Sequence, residues 1–232
     1  MGKENRSSVI KSAFPQTIPV LTGYIFLGMA YGIVMKSAGF NLLYPILISI
    51  FVYGGSLQFA AVSMLCSAFA PVQTFVVALA VQARHLFYGV SMLPKYSRAK
   101  GIKKFLLIFT MSDETFSVCY SAQPPQGVDK TDFMLRISLL DHFYWVLGTV
   151  LGACAGAFIP FDTTGIEFVM TALFTVMFVN QWEEAKDHRP ALTGLGCAAL
   201  CLTVFGSDGF MLPAMALIIV CFLVSSKSQK KE

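Results

Sequence analysis

The sequence predicts an all-α, polytopic integral membrane protein. We expect a helical bundle of about seven or eight membrane helices, some broken or re-entrant, in one domain over residues 1–232. Hydrophobic residues make up 56% of the chain and charged residues 13%, whereas soluble domains carry about 25% charged residues. Mean hydropathy is +0.67. From Ser12 to Ala83 the one charged residue is Lys36, so this long stretch suits hydrocarbon better than water.

Eight apolar segments are candidate membrane helices, since a spanning helix needs roughly 20 mainly apolar residues. The last two are short, so we expect them to be tilted, re-entrant or shielded by neighbours. The first is too long for the apolar core of a cleaved signal peptide, so we expect it to be retained. The segments are Ala13–Met35, Leu42–Phe69, Val72–Leu93, Phe105–Ser121, Phe133–Ile159, Ile166–Asn180, Ala191–Phe205 and Phe210–Val224.

The first and fifth segments each contain two glycines four residues apart, Gly28 with Gly32 and Gly152 with Gly156. Small residues at this spacing let helix backbones approach closely. An internal repeat with halves 12–121 and 133–224 would explain the shared spacing, and repeats are common in secondary transporters. The same packing demand acting separately on two helices would also explain it.

Basic residues form three clusters, which are typical of the cytoplasmic ends of membrane helices and not of a nucleic-acid surface. Eight full crossings cannot place all three on one side. We therefore expect each half to contain one segment that does not cross. The candidates are Leu42–Phe69, interrupted by glycines, and Ala191–Val224, interrupted at Gly206–Gly209. The basic clusters are Lys3–Lys11, Lys95–Lys104 and Lys227–Lys231.

Neither a metal nor a cofactor is predicted. The six cysteines lie in apolar segments and lack Cys-x-x-Cys spacing near histidines, so helix packing is their expected role. The sequence also contains no phosphate-binding loop or metalloprotease motif.

Ionisable residues of the third and fourth segments lie at similar depths. Arg84 and His85 are about 15 Å inside the end marked by Pro94, at 1.5 Å per helical residue. Asp113 and Glu114 lie about as deep in the next segment. If these neighbouring segments pack antiparallel, Arg84 pairs with Asp113 or Glu114 near the bilayer midplane. A charge at this depth costs roughly 2.5–3.5 kcal/mol on insertion scales, so we expect it to have a partner or a purpose.

The fifth segment adds Asp141, His142 and Trp145 at comparable depth. Ionisable groups on three helices thus predict a polar centre, in which a histidine and an unpaired carboxylate could exchange protons near neutral pH. Intramembrane charges usually mark substrate or proton pathways. The alternative is a set of buried ion pairs that only fix helix register, with each histidine bonded to a helix carbonyl.

The stretch Gly54-Gly55-Ser56-Leu57-Gln58 is a second candidate site. Adjacent glycines in mid-segment weaken a helix and expose backbone N–H and C=O groups, and such broken helices often build transporter binding sites. Close helix packing would favour the same glycines. Tyr88 and Trp145 are candidate substrate contacts because they are aromatic and lie beside the charges. Weaker apolar candidates are Phe59, Phe87 and Phe116.

Four motifs occur in order along the chain: FVYGGSLQFAA from Phe51, RHLFYG from Arg84, SDETF from Ser112 and WVLGTVLG from Trp145. Together they resemble the signatures of the AzlC (azaleucine-resistance) family, and the resemblance extends from Phe14 to about Leu223. The chain departs from the family pattern at Gln82, where an asparagine is expected, and Asp141 is not part of a family motif.

The resemblance implies a multi-pass secondary transporter of the bacterial cytoplasmic membrane. It would export branched-chain amino acids, be coupled to protons, and be accompanied by a small membrane subunit of the AzlD type. In this hypothesis the stretch Gly54–Gln58 binds the main-chain groups of the amino acid. Arg84 pairs with one carboxylate, and the other carboxylate carries the coupling proton together with His85 or His142.

Two other classes of protein remain open from the sequence. One is a structural or sensory membrane subunit that transports nothing. The other is an intramembrane enzyme that uses Asp113, Glu114 or Asp141 as a general acid.

Overall fold

The computed structural model describes residues 3–158 and 187–210 continuously, and also 175, 178–179, 182–183, 185, 213–214, 216–218 and 220–221. Regular secondary structure within these residues is entirely helical. The chain divides into two compact units, Met1–Thr164 and Gly165–Glu232. The helices are α1 (Lys3–Ser37), α2 (Leu43–Phe51), α3 (Ser56–Cys66), α4 (Pro71–Gln82), α5 (Arg84–Tyr96), α6 (Gly101–Phe109), α7 (Asp113–Ser121), α8 (Lys130–Phe158) and α9 (Arg189–Gly209).

The first unit is built on α1 and α8, which pack together and run in the same direction. Early in the pair, the hydroxyl oxygens of Thr17 and Tyr144 are 3.0 Å apart. Late in the pair, a Cβ added to Gly156 would lie 3.2 Å from the Cβ of Lys36. We call the end where α1 and α8 begin the basal end, and the end where Lys36 and Gly156 meet the distal end.

The spaced glycines allow the backbones of α1 and α8 to touch. A Cβ added to Gly28 would lie 2.9 Å from the backbone oxygen of Trp145. A Cβ added to Gly152 would overlap the backbone of Met29, and Gly32 is similarly confined. Their predicted role in close packing is confirmed, whereas the internal repeat stays a prediction.

Helices α2 and α3 form a hairpin over residues 43–66, which we call the distal hairpin because it enters from the distal end and returns to it. Near the break, Gln58 Nε2 donates a hydrogen bond of 2.9 Å to Ser49 Oγ, so the chain has folded back on itself. Phe59 then packs edge-on against Tyr31 in the distal half of α1, with ring centroids 5.5 Å apart. The predicted interruption of this segment is therefore present, and the segment does not cross the unit.

Helices α6 and α7 form a second hairpin, over residues 101–121, which we call the basal hairpin. On its entering arm, Lys103 Nζ lies 2.5 Å from Asp132 Oδ1 at the start of α8. On its returning arm, the backbone oxygen of Tyr120 accepts a 2.6 Å hydrogen bond from Lys95 Nζ at the end of α5. Both arms therefore lie at the basal end, and the tip reaches the middle of α1.

The prediction that Phe105–Ser121 forms one spanning helix is wrong. Helix α6 ends at Phe109, and the side chain of Ser112 begins α7 by accepting a 3.1 Å hydrogen bond from the N–H of Thr115. Serine is a favoured N-cap, and two acids in the first turn of a helix suit its positive end. The local sequence therefore starts a new helix where hydropathy alone indicates a continuous one.

Helices α4 and α5 carry the chain from the distal to the basal end in two pieces that meet at Ala83. Near the end of α5, Met92 and Tyr96 are buried in a basal cluster that also contains Val9 of α1 and Phe133 of α8. Within the described residues of the first unit, α1, α4–α5 and α8 thus run from end to end. The two hairpins enter between them from opposite ends.

Three helices among the described residues are long and apolar enough to cross a membrane, over Val9–Ser37, Lys130–Phe158 and Arg189–Gly206. The all-α membrane fold is confirmed at this level. The count of seven or eight helices, the single domain and the repeat halves stay predictions. The predicted segment Ile166–Asn180 lies almost entirely outside the described residues.

In the second unit, α9 is interrupted at Gly206, whose φ of +71° and ψ of 177° are non-helical. The Sγ atoms of Cys197 and Cys221 are 3.9 Å apart, so described residues beyond the interruption lie alongside α9. The predicted break in this segment is therefore confirmed at Gly206.

Candidate functional site

The tips of both hairpins and the junction of α4 with α5 meet at the middle of α1 and α8. We call this meeting point the polar centre. Its ionisable and hydroxyl side chains, most of them wholly or partly buried, come from five helices. They are Tyr24, Ser56, Arg84, Ser112, Asp113, Glu114, Thr115 and Asp141.

Arg84 connects the two hairpin tips. Its Nη1 lies 2.6 Å from Asp113 Oδ2 at the start of α7, and its Nη2 donates a 3.1 Å hydrogen bond to Ser56 Oγ at the start of α3. The predicted contact of Arg84 with one of the two neighbouring acids is therefore present, and the acid is Asp113. The Nε atom of Arg84 is buried and has no hydrogen-bond partner among the described residues.

Glu114 faces a different direction from Asp113, as expected for consecutive helical residues about 100° apart. Its Oε2 accepts a 2.7 Å hydrogen bond from the hydroxyl of Tyr24 in α1. The same hydroxyl lies 2.5 Å from Ser112 Oγ. One acid of the pair thus neutralises Arg84, and the other joins a group of hydroxyls.

Asp141 lies on the opposite side of that group, with 0% of its surface exposed. Its Oδ2 accepts a 2.7 Å hydrogen bond from Thr115 Oγ1. Its Oδ1 has no hydrogen-bond partner in the part of the chain that the structure describes. A buried carboxyl that makes no ion pair and leaves one oxygen unsatisfied is an expensive feature to keep for packing alone.

The two glycines at the tip of the distal hairpin are needed for different reasons. Gly55 has a φ of +45°, a region that side chains with a Cβ rarely adopt. Gly54 lies against the amide of Gln82, since a Cβ added there would be 2.7 Å from Gln82 Nε2. Tyr53 beside them also has a positive φ, of 44°, which costs energy in a residue with a large side chain. Such local strain is typical of functional sites.

Backbone N–H groups are available at this tip. Among the described residues, no backbone–backbone hydrogen bond outside the helices is donated by the N–H of Gly54, Gly55 or Ser56. These groups lie at the start of α3, where the helix dipole favours a negative charge. The tip can therefore bind an anionic group.

Gln58 and Trp145, two of the candidate substrate contacts, bind each other. Trp145 Nε1 donates a 2.8 Å hydrogen bond to Gln58 Oε1, and Gln58 Nε2 donates to Ser49 Oγ. Ser49 in turn lies 2.9 Å from Thr149 Oγ1. Gln58 is 0% and Trp145 4% exposed, so both hold the distal hairpin against α8, and direct contact with a substrate stays a prediction.

The two histidines occupy different environments. The Nε2 atom of His142 lies 3.2 Å from the backbone oxygen of Ile50 near the end of α2, as the alternative of a carbonyl-bonded histidine predicted. His85 packs edge-on against the ring of Tyr88, with centroids 5.8 Å apart. No hydrogen bond or ion pair joins either histidine to Glu114 among the described residues, and a shared role of a histidine and the second carboxylate in carrying the coupling proton stays a prediction.

The aromatic candidates lie in three different environments. Tyr88 stacks on Phe116 with centroids 4.6 Å apart and an angle of 18° between the rings. Tyr88 lies one turn after Arg84 in α5, and Phe116 lies one turn after Asp113 in α7. Phe59 is buried against α1. Phe87 is 65% exposed, so it faces outward from the first unit.

Tyr24, Ser112 and Thr115 belong to the polar centre but were not predicted as site residues. The sequence Ser112-Asp-Glu-Thr matches a helix N-cap followed by acids, which could have located the start of α7. Tyr24 carries no such signal, because a tyrosine in a long apolar helix usually packs or faces the membrane interface. Among the described residues, no three His, Cys, Asp or Glu side chains come together as metal ligands would.

Apolar helices long enough to span a bilayer, enclosing a charged centre, define a helical membrane protein. The family model described as AzlC protein matches residues 19–159, and the chain belongs to this family. It is 48% identical to the branched-chain amino acid transport protein AzlC of Bacillus subtilis, over 97% of this chain and 88% of that protein. It is 43% identical to an uncharacterized membrane protein of Haemophilus influenzae, over 88% and 84% of the two chains.

The inner membrane protein YgaZ of Escherichia coli is a more distant relative, 25% identical over 78% of this chain and 76% of its own length. No solved structure matches the chain significantly.

Proposed function

We propose that this protein is a secondary transporter that exports branched-chain or similar apolar amino acids across the bacterial cytoplasmic membrane, coupled to protons. Membership of the AzlC family supports transport, and the similarity to the branched-chain amino acid transport protein of Bacillus subtilis supports the substrate class. The observation that carries the proposal is the position of Arg84, which binds Ser56 at one hairpin tip and Asp113 at the other. A ligand that competes for either contact would change how the two tips are held together.

The substrate is a zwitterion, and the polar centre offers complementary charge to both of its ends. The N–H groups of Gly54, Gly55 and Ser56 suit the carboxylate, together with the positive start of α3. Asp113 suits the ammonium group when Arg84 turns toward the substrate carboxylate. The stacked rings of Tyr88 and Phe116 supply an apolar surface for the side chain.

The coupling proton needs a carboxyl that is not neutralised by Arg84. Glu114 meets this condition, since its recorded contact is with Tyr24, and Asp141 meets it too. His142 is engaged by the carbonyl of Ile50, so we assign it to holding the end of α2. His85, beside Tyr88, remains a second candidate for proton exchange.

The fold suggests a membrane topology that satisfies the positive-inside rule. The clusters Lys3–Lys11 and Lys95–Lys104 both lie at or lead into the basal end, as do Lys130 and Arg136 near the start of α8. We propose that this end is cytoplasmic and that α1, α4–α5 and α8 cross the membrane. The first unit would then contain two re-entrant segments, the distal hairpin and the basal hairpin, whereas the sequence predicted one in the first half.

The resemblance also leads us to propose a small AzlD-type membrane subunit as partner. Co-expression with a short hydrophobic neighbour, followed by purification through a tag on this chain, tests that proposal. Recovery of this chain alone in fully active form would contradict it.

The transport proposal is tested in proteoliposomes containing the purified chain, with and without the small subunit. Vesicles loaded with labelled leucine are diluted into leucine-free buffer, with or without an imposed pH gradient. We expect leucine to leave faster with the gradient that moves protons opposite to leucine, and labelled glutamate to stay inside. Leucine retention under every condition would contradict the proposal and favour a non-transporting subunit.

A further inference from the structure

A chain of hydroxyl groups joins two carboxyl groups across the polar centre. The hydroxyl oxygen of Tyr24 lies 2.7 Å from Glu114 Oε2 and 2.5 Å from Ser112 Oγ. Ser112 Oγ lies 3.1 Å from Thr115 Oγ1, which lies 2.7 Å from Asp141 Oδ2. Every distance is within hydrogen-bonding range, so Glu114 and Asp141 are connected without a gap.

The two ends of this chain differ in their access to solvent. Glu114 is partly exposed, whereas Asp141 is fully buried at 0% exposure. Neither ion pair recorded among the described residues includes Asp141, and a buried carboxylate without a cation is costly. Asp141 therefore suits a group that takes up and gives back a proton. The titratable groups that face it are Glu114 and Cys119 from α7, Tyr53 from the distal hairpin, and Tyr144 from α8.

Each hydroxyl has a single hydrogen, so the chain has two complete arrangements. In the first, protonated Glu114 donates to Tyr24, and the donors then follow in order through Ser112 and Thr115 to the carboxylate of Asp141. In the second, Asp141 holds the proton and every donor is reversed. Conversion breaks one O–H bond and forms another along each of the four hydrogen bonds. One proton moves in total, and no further donor is required.

We propose that Glu114, Tyr24, Ser112, Thr115 and Asp141 form a proton relay that carries the coupling proton between a partly exposed and a sealed carboxyl. This inference rests on the proposed proton-coupled transport. It gives Asp141 a role outside the family motifs, and it assigns new roles to the three hydroxyl residues.

The relay shares one hairpin tip with the groups proposed to bind substrate. Ser112 is the N-cap of α7 and a member of the relay, and Asp113, the next residue, pairs with Arg84. A shift of the basal hairpin on substrate binding would move Ser112 away from Tyr24 of α1 and interrupt the relay. Proton transfer and substrate binding are thereby linked through adjacent residues.

Tyr24→Phe is the direct test, because it removes one hydroxyl and keeps the ring. The matched control is Tyr96→Phe, which removes a buried tyrosine hydroxyl in the basal cluster, outside the relay and with no hydrogen-bond partner among the described residues. In the purified full-length protein, infrared absorption follows protonation of Asp141 after a rapid drop in pH. Its carboxylic-acid band is identified by its loss in Asp141→Asn and by its shift on labelling aspartate with ¹³C.

We expect protonation of Asp141 to be at least tenfold slower in Tyr24→Phe and unchanged in Tyr96→Phe. Thr115→Val should slow it similarly, and Thr115→Ser, which restores a hydroxyl, should recover most of the rate. Rates within twofold of wild type in both Tyr24→Phe and Thr115→Val would overturn the relay. So would an Asp141 band that never responds to pH in correctly folded protein.

The same variants in leucine-transporting proteoliposomes separate this inference from the proposed function. A wild-type protein that moves no leucine, but shows hydroxyl-dependent protonation of Asp141, overturns the function and leaves the relay standing. Proton-coupled leucine export at wild-type rates in Tyr24→Phe and Thr115→Val overturns the relay and leaves the function standing.

Discussion

At the scale of single residues, the sequence predicts only one of the two contacts of Arg84. Arg84 and the two acids lie at similar depths in neighbouring membrane segments, which predicts that Arg84 pairs with Asp113 or Glu114. Asp113 is that partner. The second contact, to Ser56, depends on the distal hairpin bringing α3 to the same place. That contact joins residues 28 positions apart in the sequence, and no local pattern encodes it.

Replacing Arg84 with alanine should abolish leucine export, because it removes the contact between the two hairpin tips and leaves Asp113 unpaired. Losing one partner of a fully buried ion pair costs about 3–5 kcal/mol. We expect a smaller loss of stability here, since the two side chains are 30% and 22% exposed. The measurement is export in proteoliposomes, alongside the unfolding temperature of the purified protein.

Arg98→Ala, in the exposed basal loop, is the matched control and should transport normally. The double variant Arg84→Ala/Asp113→Ala should recover the unfolding temperature but not export, because it removes the unpaired charge without restoring the contact. Full export by correctly folded Arg84→Ala would show that the ion pair has no part in transport.

At the scale of helices, hydropathy located the apolar segments but missed two breaks within them. One lies between α4 and α5, and the other lies between α6 and α7. The distal break was predictable because Gly54 and Gly55 are adjacent in the sequence. The basal break has no glycine or proline, and depends on Ser112 capping α7 while Tyr24 of another helix binds the cap. At the junction of α4 with α5, Ala83 has helical dihedral angles. The change from one helix to the next is therefore small, and hydropathy predicted one continuous helix there.

Gly152→Ala should destabilise the contact of α1 with α8, because the added Cβ would overlap the backbone of Met29. Backbone atoms cannot rotate away as a side chain can, so the helices must separate locally. We expect an unfolding temperature several degrees below wild type. Gly23→Ala is the control in the same pair of helices, since a Cβ there would meet nothing within 4 Å. Equal unfolding temperatures for the two variants would contradict the close approach of the backbones.

At the scale of the whole molecule, the positive-inside rule predicted that one apolar segment in each half does not cross the membrane. In the first unit, two hairpins return to the end from which they enter. The reason is that charge counting fixes only whether the number of crossings between two loops is odd or even. Side-chain contacts such as that between Lys103 and Asp132 were needed to show which segments return.

Cysteine labelling in intact cells tests this topology, using a variant that lacks the native cysteines. Single cysteines replacing Asn41 and Ser67, which follow α1 and α3 at the distal end, should react with an impermeant reagent added outside. Cysteines replacing Ser97 and Gln126, in exposed basal loops, should react only after the membrane is opened. Labelling of Ser97→Cys from outside would mean that the distal hairpin crosses the membrane or that the basal end is extracellular.

The central claim is that one polar centre couples movement of an apolar amino acid to movement of protons. The most direct measurement is the internal pH of proteoliposomes after a leucine gradient is imposed with no initial pH difference. We predict a leucine-driven change of internal pH, with protons moving opposite to leucine, that is absent in Arg84→Ala and absent with glutamate. Leucine flux through the wild-type protein without any change of internal pH would contradict the claim.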